Sequence, residues 1–139
     1  MKTYIISGFP GTGKTEFVRN SNKLVLDSDS SKFDKKNFPE NYIKYIKSNI
    51  GLVDIICVSS HKDVREKLVE SGIYFFLVYP EKSLKQEYLE RYKKRGDSDS
   101  FITLLSDNWD KWLTELENQT ECFHIVLKTN EYLSSLLEG

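Results

Sequence analysis

A chain of 139 residues that is 39% hydrophobic, 29% charged and 13% aromatic has the balance of one globular domain, which excludes a disordered polymer. Twenty lysines and arginines against twenty-one acidic residues leave a formal charge of -1, which excludes a broad basic field that holds nucleic acid non-specifically. No N-terminal secretory pattern and no apolar run of about 18 residues is present, so a cytoplasmic protein with no membrane partner is expected.

In chain order, five short runs rich in β-branched and aromatic residues stand out: TYIIS (3–7), KLVLD (23–27), VDIICVS (53–59), IYFFLVY (73–79) and FHIVLK (123–128). Each is apolar at consecutive positions, as strands buried on both faces should be. Helical spacing fills the gaps. Pro39 opens a helix carrying Tyr42, Ile43 and Ile46, and Val64 and Leu68 recur at i and i+4 between a Ser60/Asp63 capping box and a Gly72 stop. Leu84, Tyr88, Leu89 and Tyr92 form a third apolar face, Leu105, Trp109, Trp112, Leu113 and Leu116 a fourth, and Tyr132, Leu133, Leu136 and Leu137 a last short one. Cys57 and Cys122 sit in apolar surroundings without metal-ligand spacing and are read as small core hydrophobes. Strand and helix alternate throughout. The expectation is one α/β domain, 1–139, with three layers around a mostly parallel five-stranded sheet.

Gly8-Phe9-Pro10-Gly11-Thr12-Gly13-Lys14-Thr15 fits the phosphate-loop pattern G-x-x-x-x-G-K-S/T between an expected strand and an expected helix. Gly8, Gly11 and Gly13 let the backbone wrap and turn its N–H groups inward, with Thr12 between them, and the helix N-terminus adds partial positive charge. Lys14 would neutralise β- and γ-phosphate oxygens and the Thr15 hydroxyl would ligate Mg²⁺, so ATP and Mg²⁺ are the expected cofactors.

The loop does not name a reaction. A guanine-reading Asn-Lys-x-Asp is missing, because Asn22-Lys23 is followed by Leu24 and Val25. The third strand run ends in Ser59 and Ser60 where an aspartate usually stands, so the metal carboxylate must come from elsewhere; Asp54 lies at the wrong end and reads as a solvated strand start. Ligands of parallel α/β sheets bind beyond the carboxyl ends of strands. That rule selects Asp27 and Asp29 after the second strand, with Asp29 as base or acceptor anchor, Asp27 as metal partner, and the reverse assignment open.

A phosphate loop, an Asp-x-Asp at 27–29 and a later Arg-x-x-x-Arg at 91–95 resemble the small P-loop kinases related to nucleoside monophosphate kinases, shikimate kinase and gluconate kinase. That resemblance implies an ATP-dependent phosphotransferase, Asp27 and Asp29 contacting metal-bound water and an acceptor hydroxyl, and a short lid near 91–101 whose Arg91 and Arg95 neutralise the moving phosphoryl; the alternative reading of the same stretch is a solvated helix in which Glu87 pairs with Arg91 and Glu90 with Lys94 at i,i+4 spacing. It places the acceptor, a nucleoside or nucleotide, near 28–50, with Phe38, Tyr42 and Tyr45 to stack on a base and Lys35 or Lys36 to meet a phosphate; the competing reading makes Tyr42, Ile43 and Ile46 the core face of their helix. A 5'-hydroxyl polynucleotide kinase, with Lys93, Lys94 and Arg95 as its basic footprint, is one alternative; an ATP-binding switch with weak hydrolysis is another. His61 is read chiefly as a helix-starting residue with a possible acceptor contact, and Trp109 and Trp112 as core.

Overall fold

A computed structural model describes residues 2–20, 23–27 and 33–137; the side chains at 15, 18, 20, 136 and 137 fall outside that description. The chain runs β1 (Tyr4–Gly8), α1 (Lys14–Asn20), β2 (Val25–Asp27), α2 (Glu40–Asn49), β3 (Ile55–Ser59), α3 (Lys62–Glu70), β4 (Phe76–Pro80), a single 3₁₀ turn at 82–84, α4 (Lys85–Lys94), α5 (Asp99–Glu117), β5 (Phe123–Leu127) and α6 (Leu133–Leu137).

The five strands form one sheet in the order β2-β3-β1-β4-β5, and every pair is parallel. The expected α/β architecture is therefore present, with a sheet parallel throughout. β1 lies at the centre because Ile5, Ile6 and Ser7 are buried on both faces, as a doubly covered strand requires. Alternation along the strands divides two cores. Ile5, Ile56, Val58, Leu77 and Tyr79 face α2, α3, α4 and α5, whereas Ile6, Ile55, Cys57, Val78 and Leu127 face Phe17 of α1 and Leu133 of α6.

Local chemistry accounts for most element ends, with some corrections. Gly72 closes α3 at φ +70, its N–H and that of Ile73 reaching back to Val69 and Leu68. The Ser60/Asp63 capping box does not form: His61 takes the N-cap position of α3 and no side chain caps it. Pro39 stands at the N-cap of α2, one residue before the first turn. The fourth strand starts at Phe76 rather than at residue 73, since pairing with β1 begins at Ile6↔Phe76. Segment 91–101 consists of the last turn of α4, four linking residues and the first turn of α5, the latter capped by Ser98, whose hydroxyl accepts from Phe101 N–H.

Candidate functional site

The phosphate-loop sequence follows β1 and ends in α1. Gly11 and Gly13 hold φ of +89 and +90, the left-handed conformation that L side chains disfavour, so the loop needs glycine at both places. Thr12 is fully buried and its hydroxyl donates to the Phe9 carbonyl at 2.8 Å, which closes the turn from inside. Lys14 Nζ donates to the Gly8 carbonyl at 2.9 Å and lies folded across the mouth of the loop. Thr15 belongs to the first turn of α1, but its side chain is outside the described positions.

The outside of the loop is clamped by α4 and by the residue before α6. Arg91 Nη1 donates to the Gly11 carbonyl at 2.8 Å, while Nη2 donates to Glu87 at 2.8 Å and to the Glu131 carbonyl at 3.2 Å. Its guanidinium is stacked between the rings of Tyr88 and Tyr132, with centroids at 4.2 and 3.9 Å. Tyr92 adds a hydrogen bond from its hydroxyl to the Pro10 carbonyl at 2.8 Å, and burial pushes the pKa of Tyr88 up to about 12 and that of Tyr92 up as well. Both therefore stay neutral, Tyr92 as a donor to Pro10 and Tyr88 with its buried hydroxyl unpartnered among the described residues. Arg91 and Arg95 were expected to work together on phosphate. Here Arg91 bonds the loop carbonyl and makes the i,i+4 pair with Glu87 that is the other reading of this helix, and Arg95, at the C-cap of α4, binds Asp97 through Nε and stacks near Tyr92 and Phe101.

Inside the loop mouth lies a cleft of about 630 Å³. Gly8, Phe9, Pro10 and Lys14 line it together with Asp27 at the end of β2 and Ser59, Ser60 and His61 at the end of β3. Lys62 and Arg65 of α3 and Trp112, Glu115 and Leu116 of α5 complete the lining. Ser59 occupies the strand end where a carboxylate was looked for. Its N–H reaches the Tyr42 hydroxyl at 3.3 Å, its carbonyl accepts from the Ser7 hydroxyl at 2.9 Å, and its own Oγ is buried without a partner among the described residues. An orphaned hydroxyl at this place suits a bound water or phosphate oxygen. Asp27 is exposed to the same cleft, and its charge adds to the burial that raises Cys57 to about 12. Asp29 lies outside the described residues.

Three features were left open, misjudged or missed from sequence. Tyr42 is not a stacking platform: it is fully buried, packed against Phe33 and Phe38. Trp109 is core, with its Nε1 bonded to the Lys82 carbonyl at 2.8 Å, but Trp112 is only half-buried and borders the cleft. Arg65 is the missed residue. It is 4% exposed, its Nε donates to the Ser60 carbonyl at 2.9 Å and its Nη1 to Gln119 Oε1 at 2.5 Å. A signal existed in its position between the core residues Val64 and Leu68, six residues past the end of β3. His61 borders the cleft; desolvation and the charge of Lys14 lower its pKa, against an opposing effect of Asp63.

No group of three or more His, Cys, Asp or Glu poised to hold a metal occurs among the described residues, and none of their helices is long and apolar enough to cross a membrane. No family model and no curated protein matches the chain. Its chain path is similar to a crystal structure of an uncharacterized protein from Eubacterium ventriosum, at TM-score 0.48 and 10% identity, covering 97% of this chain and 93% of that one.

Proposed function

We propose that the protein is an ATP-dependent phosphotransferase, a small P-loop kinase that moves the γ-phosphoryl to a small acceptor of nucleoside or nucleotide type. The observation that carries this reading is that Lys14 of a glycine-rich strand-to-helix loop and Asp27 of the second strand end border one cleft of small-molecule size. An acceptor oxygen there forms a bond to the γ-phosphorus as the bond to the β–γ bridging oxygen breaks. The bridging oxygen leaves with ADP, and the acceptor proton passes to a carboxylate, Asp27 or Asp29.

Lys14, now held by the Gly8 carbonyl, is the cation that neutralises phosphate oxygens. Thr15 and Asp27 are the residues that would hold Mg²⁺, which when bound supplies further neutralisation of phosphate charge. The orphaned Ser59 hydroxyl fits that shell. Arg91 keeps the loop carbonyl turned outward, which leaves the inward N–H groups for phosphate.

Incubation with Mg-ATP and a panel of nucleosides, nucleotides and sugar acids, read by mass spectrometry, tests the reading. One acceptor should gain a phosphoryl group, and Lys14→Met should abolish the gain. Failure of the whole panel, with ATP bound normally, would overturn it.

A further inference from the structure

Every strand enters the sheet past an exposed apolar side chain. Tyr4 and Phe123 open β1 and β5, and Leu24, Leu52 and Tyr74 stand shortly before β2, β3 and β4. All five are between 44 and 64% exposed. They lie at the end of the sheet opposite the cleft, since the cleft is lined by residues at the carboxyl ends of these parallel strands.

Helix length explains why one face stays open there. On the side of Phe17 and Leu133 the described helices are α1, with 7 residues, and α6, with 5. They span about 10 and 8 Å and both start at the cleft end, where the Leu133 N–H bonds the Thr12 carbonyl, whereas a five-residue strand runs about 16 Å. Tyr4, Phe76 and Phe123 share the parity of Ile6, Val78 and Ile125, so their rings emerge on that face beyond the helix ends. They form a row, with centroids 5.9 Å apart for Tyr4 and Phe76 and 5.6 Å for Phe76 and Phe123, and the Tyr74 ring lies 6.5 Å from Phe76. Continuous with the row is a groove of about 170 Å³ lined by Tyr4, Phe76, Lys23 and aliphatic side chains that include Ile6, Val78 and Leu133. A hole of about 150 Å³ with such walls takes a benzene ring.

We infer that this end of the sheet pairs two copies of the chain about a two-fold axis through β4, with Phe123 of each copy seated in the groove of the other. β4 stands between β1 and β5, so an axis there sets β5 of one copy opposite β1 of its partner. Phe123 then faces the partner's groove beside the partner's Tyr4, and unlike Tyr74 it carries no hydroxyl into apolar surroundings. Charge makes the surface self-complementary. Exposed Glu121, two residues before Phe123, comes opposite the partner's Lys2, whose ammonium is 5.3 Å from the Tyr4 ring centre, and the axis repeats the pair on the other flank. The size agrees as well: five half-exposed side chains leave about 500 Å² of apolar surface, at the upper end of what monomers show, and a polar rim brings it towards the roughly 800 Å² each partner gives to a stable interface. Both clefts stay open at the outer ends, so the pairing does not depend on what they bind.

Sedimentation equilibrium of the full chain from about 1 to 100 μM tests the pairing, with circular dichroism to check that each variant folds; a dimer with a dissociation constant of about 10 μM or tighter is expected. Phe123→Asp should weaken it at least about tenfold. Lys2→Glu and Glu121→Lys should each weaken it roughly threefold, and the two together should restore it. A folding defect is not repaired by a second reversal, so the charge pair decides even if Phe123→Asp does not fold. A monomer over the whole range, a dimer indifferent to Phe123→Asp, or a double reversal no better than either single one overturns the inference. A monomer that takes up a different protein through this surface overturns it too.

Discussion

Arg91 and Gly11, eighty residues apart, are joined by a 2.8 Å hydrogen bond from Nη1 to the carbonyl oxygen, and the arginine is only 11% exposed at its side chain. This bond ties the middle of the glycine-rich loop to α4. Arg91→Ala removes it together with two aromatic stacks and the bonds to Glu87 and Glu131, so a loss of about 3 kcal/mol of stability is expected. Arg91→Lys keeps the charge but not the fork and should recover less than half. Urea melts give the stability, and nucleotide titration should show weakened donor binding in both variants. An Arg91→Ala protein with unchanged stability would remove the strut role.

Gly11 and Gly51 share nearly the same left-handed φ, +89 and +91, but their surroundings differ. A Cβ at Gly11 would lie 2.9 Å from Tyr92 Cε1 and 3.1 Å from Tyr88 Cδ2, whereas at Gly51 nothing lies within 4 Å. Both tyrosines are fully buried and cannot swing away. Gly51→Ala should therefore cost about 1 kcal/mol from backbone strain, and Gly11→Ala about 3 kcal/mol as overpacking adds to it. Equal shifts in thermal melting would show that the tyrosine contact has no weight.

Cys57 is fully buried on the α1 side of the sheet, and burial, helped by Asp27 and opposed by Lys14, pushes its thiol up to about 12. The reactive thiolate is then almost absent at pH 8. Cys122 is only partly buried, its thiol also raised. Timed alkylation with iodoacetamide should label Cys122 first and Cys57 only as fast as the protein opens. Early modification of Cys57 would mean that the core between the sheet and α1 is more open than its packing implies.

His61 has a pKa below its ordinary value, through desolvation and the Lys14 charge, with Arg65 acting in the same direction and Asp63 against. The unfolded chain then takes up a proton at higher pH than the folded one. Stability from this group is intact above about pH 6.5 and declines as pH falls towards the lowered folded value. His61→Gln should flatten that limb of the stability profile. Bound nucleotide triphosphate, by adding negative charge near Lys14, should raise the imidazole pKa towards its ordinary value and shorten that limb from its low-pH end, measurable by NMR titration of the imidazole.

Much of the fold was legible because its signals are local. Consecutive apolar residues at 55–58 and 76–79 announce doubly covered strands, and Gly72 after a helical stripe announces its end. Boundaries slipped where partners decide them: residues 73–75 have strand composition, yet β1 pairs only from Phe76. Trp112 shows the same limit. At 100° per residue it lies roughly 60° from Trp109 on the wheel of α5, at the border of the buried stripe, where sequence does not say whether a core or a cleft adjoins.

By itself the sequence determined a strand, a glycine-rich turn and a helix opened by lysine, since glycine spacing and apolar runs act over a few residues and need no distant partner. It also determined that Asp27 would stand at a strand end. Only the tertiary structure decided which charges meet there. Arg91 turned to the back of the loop because Tyr88, Tyr132 and the Gly11 carbonyl satisfy it there. Arg65 came to the front because Ser60 and Gln119, brought together by the packing of α3 and the end of α5 on one sheet face, hold it at the cleft. A guanidinium settles where its donors are satisfied, and those acceptors lie far away in sequence.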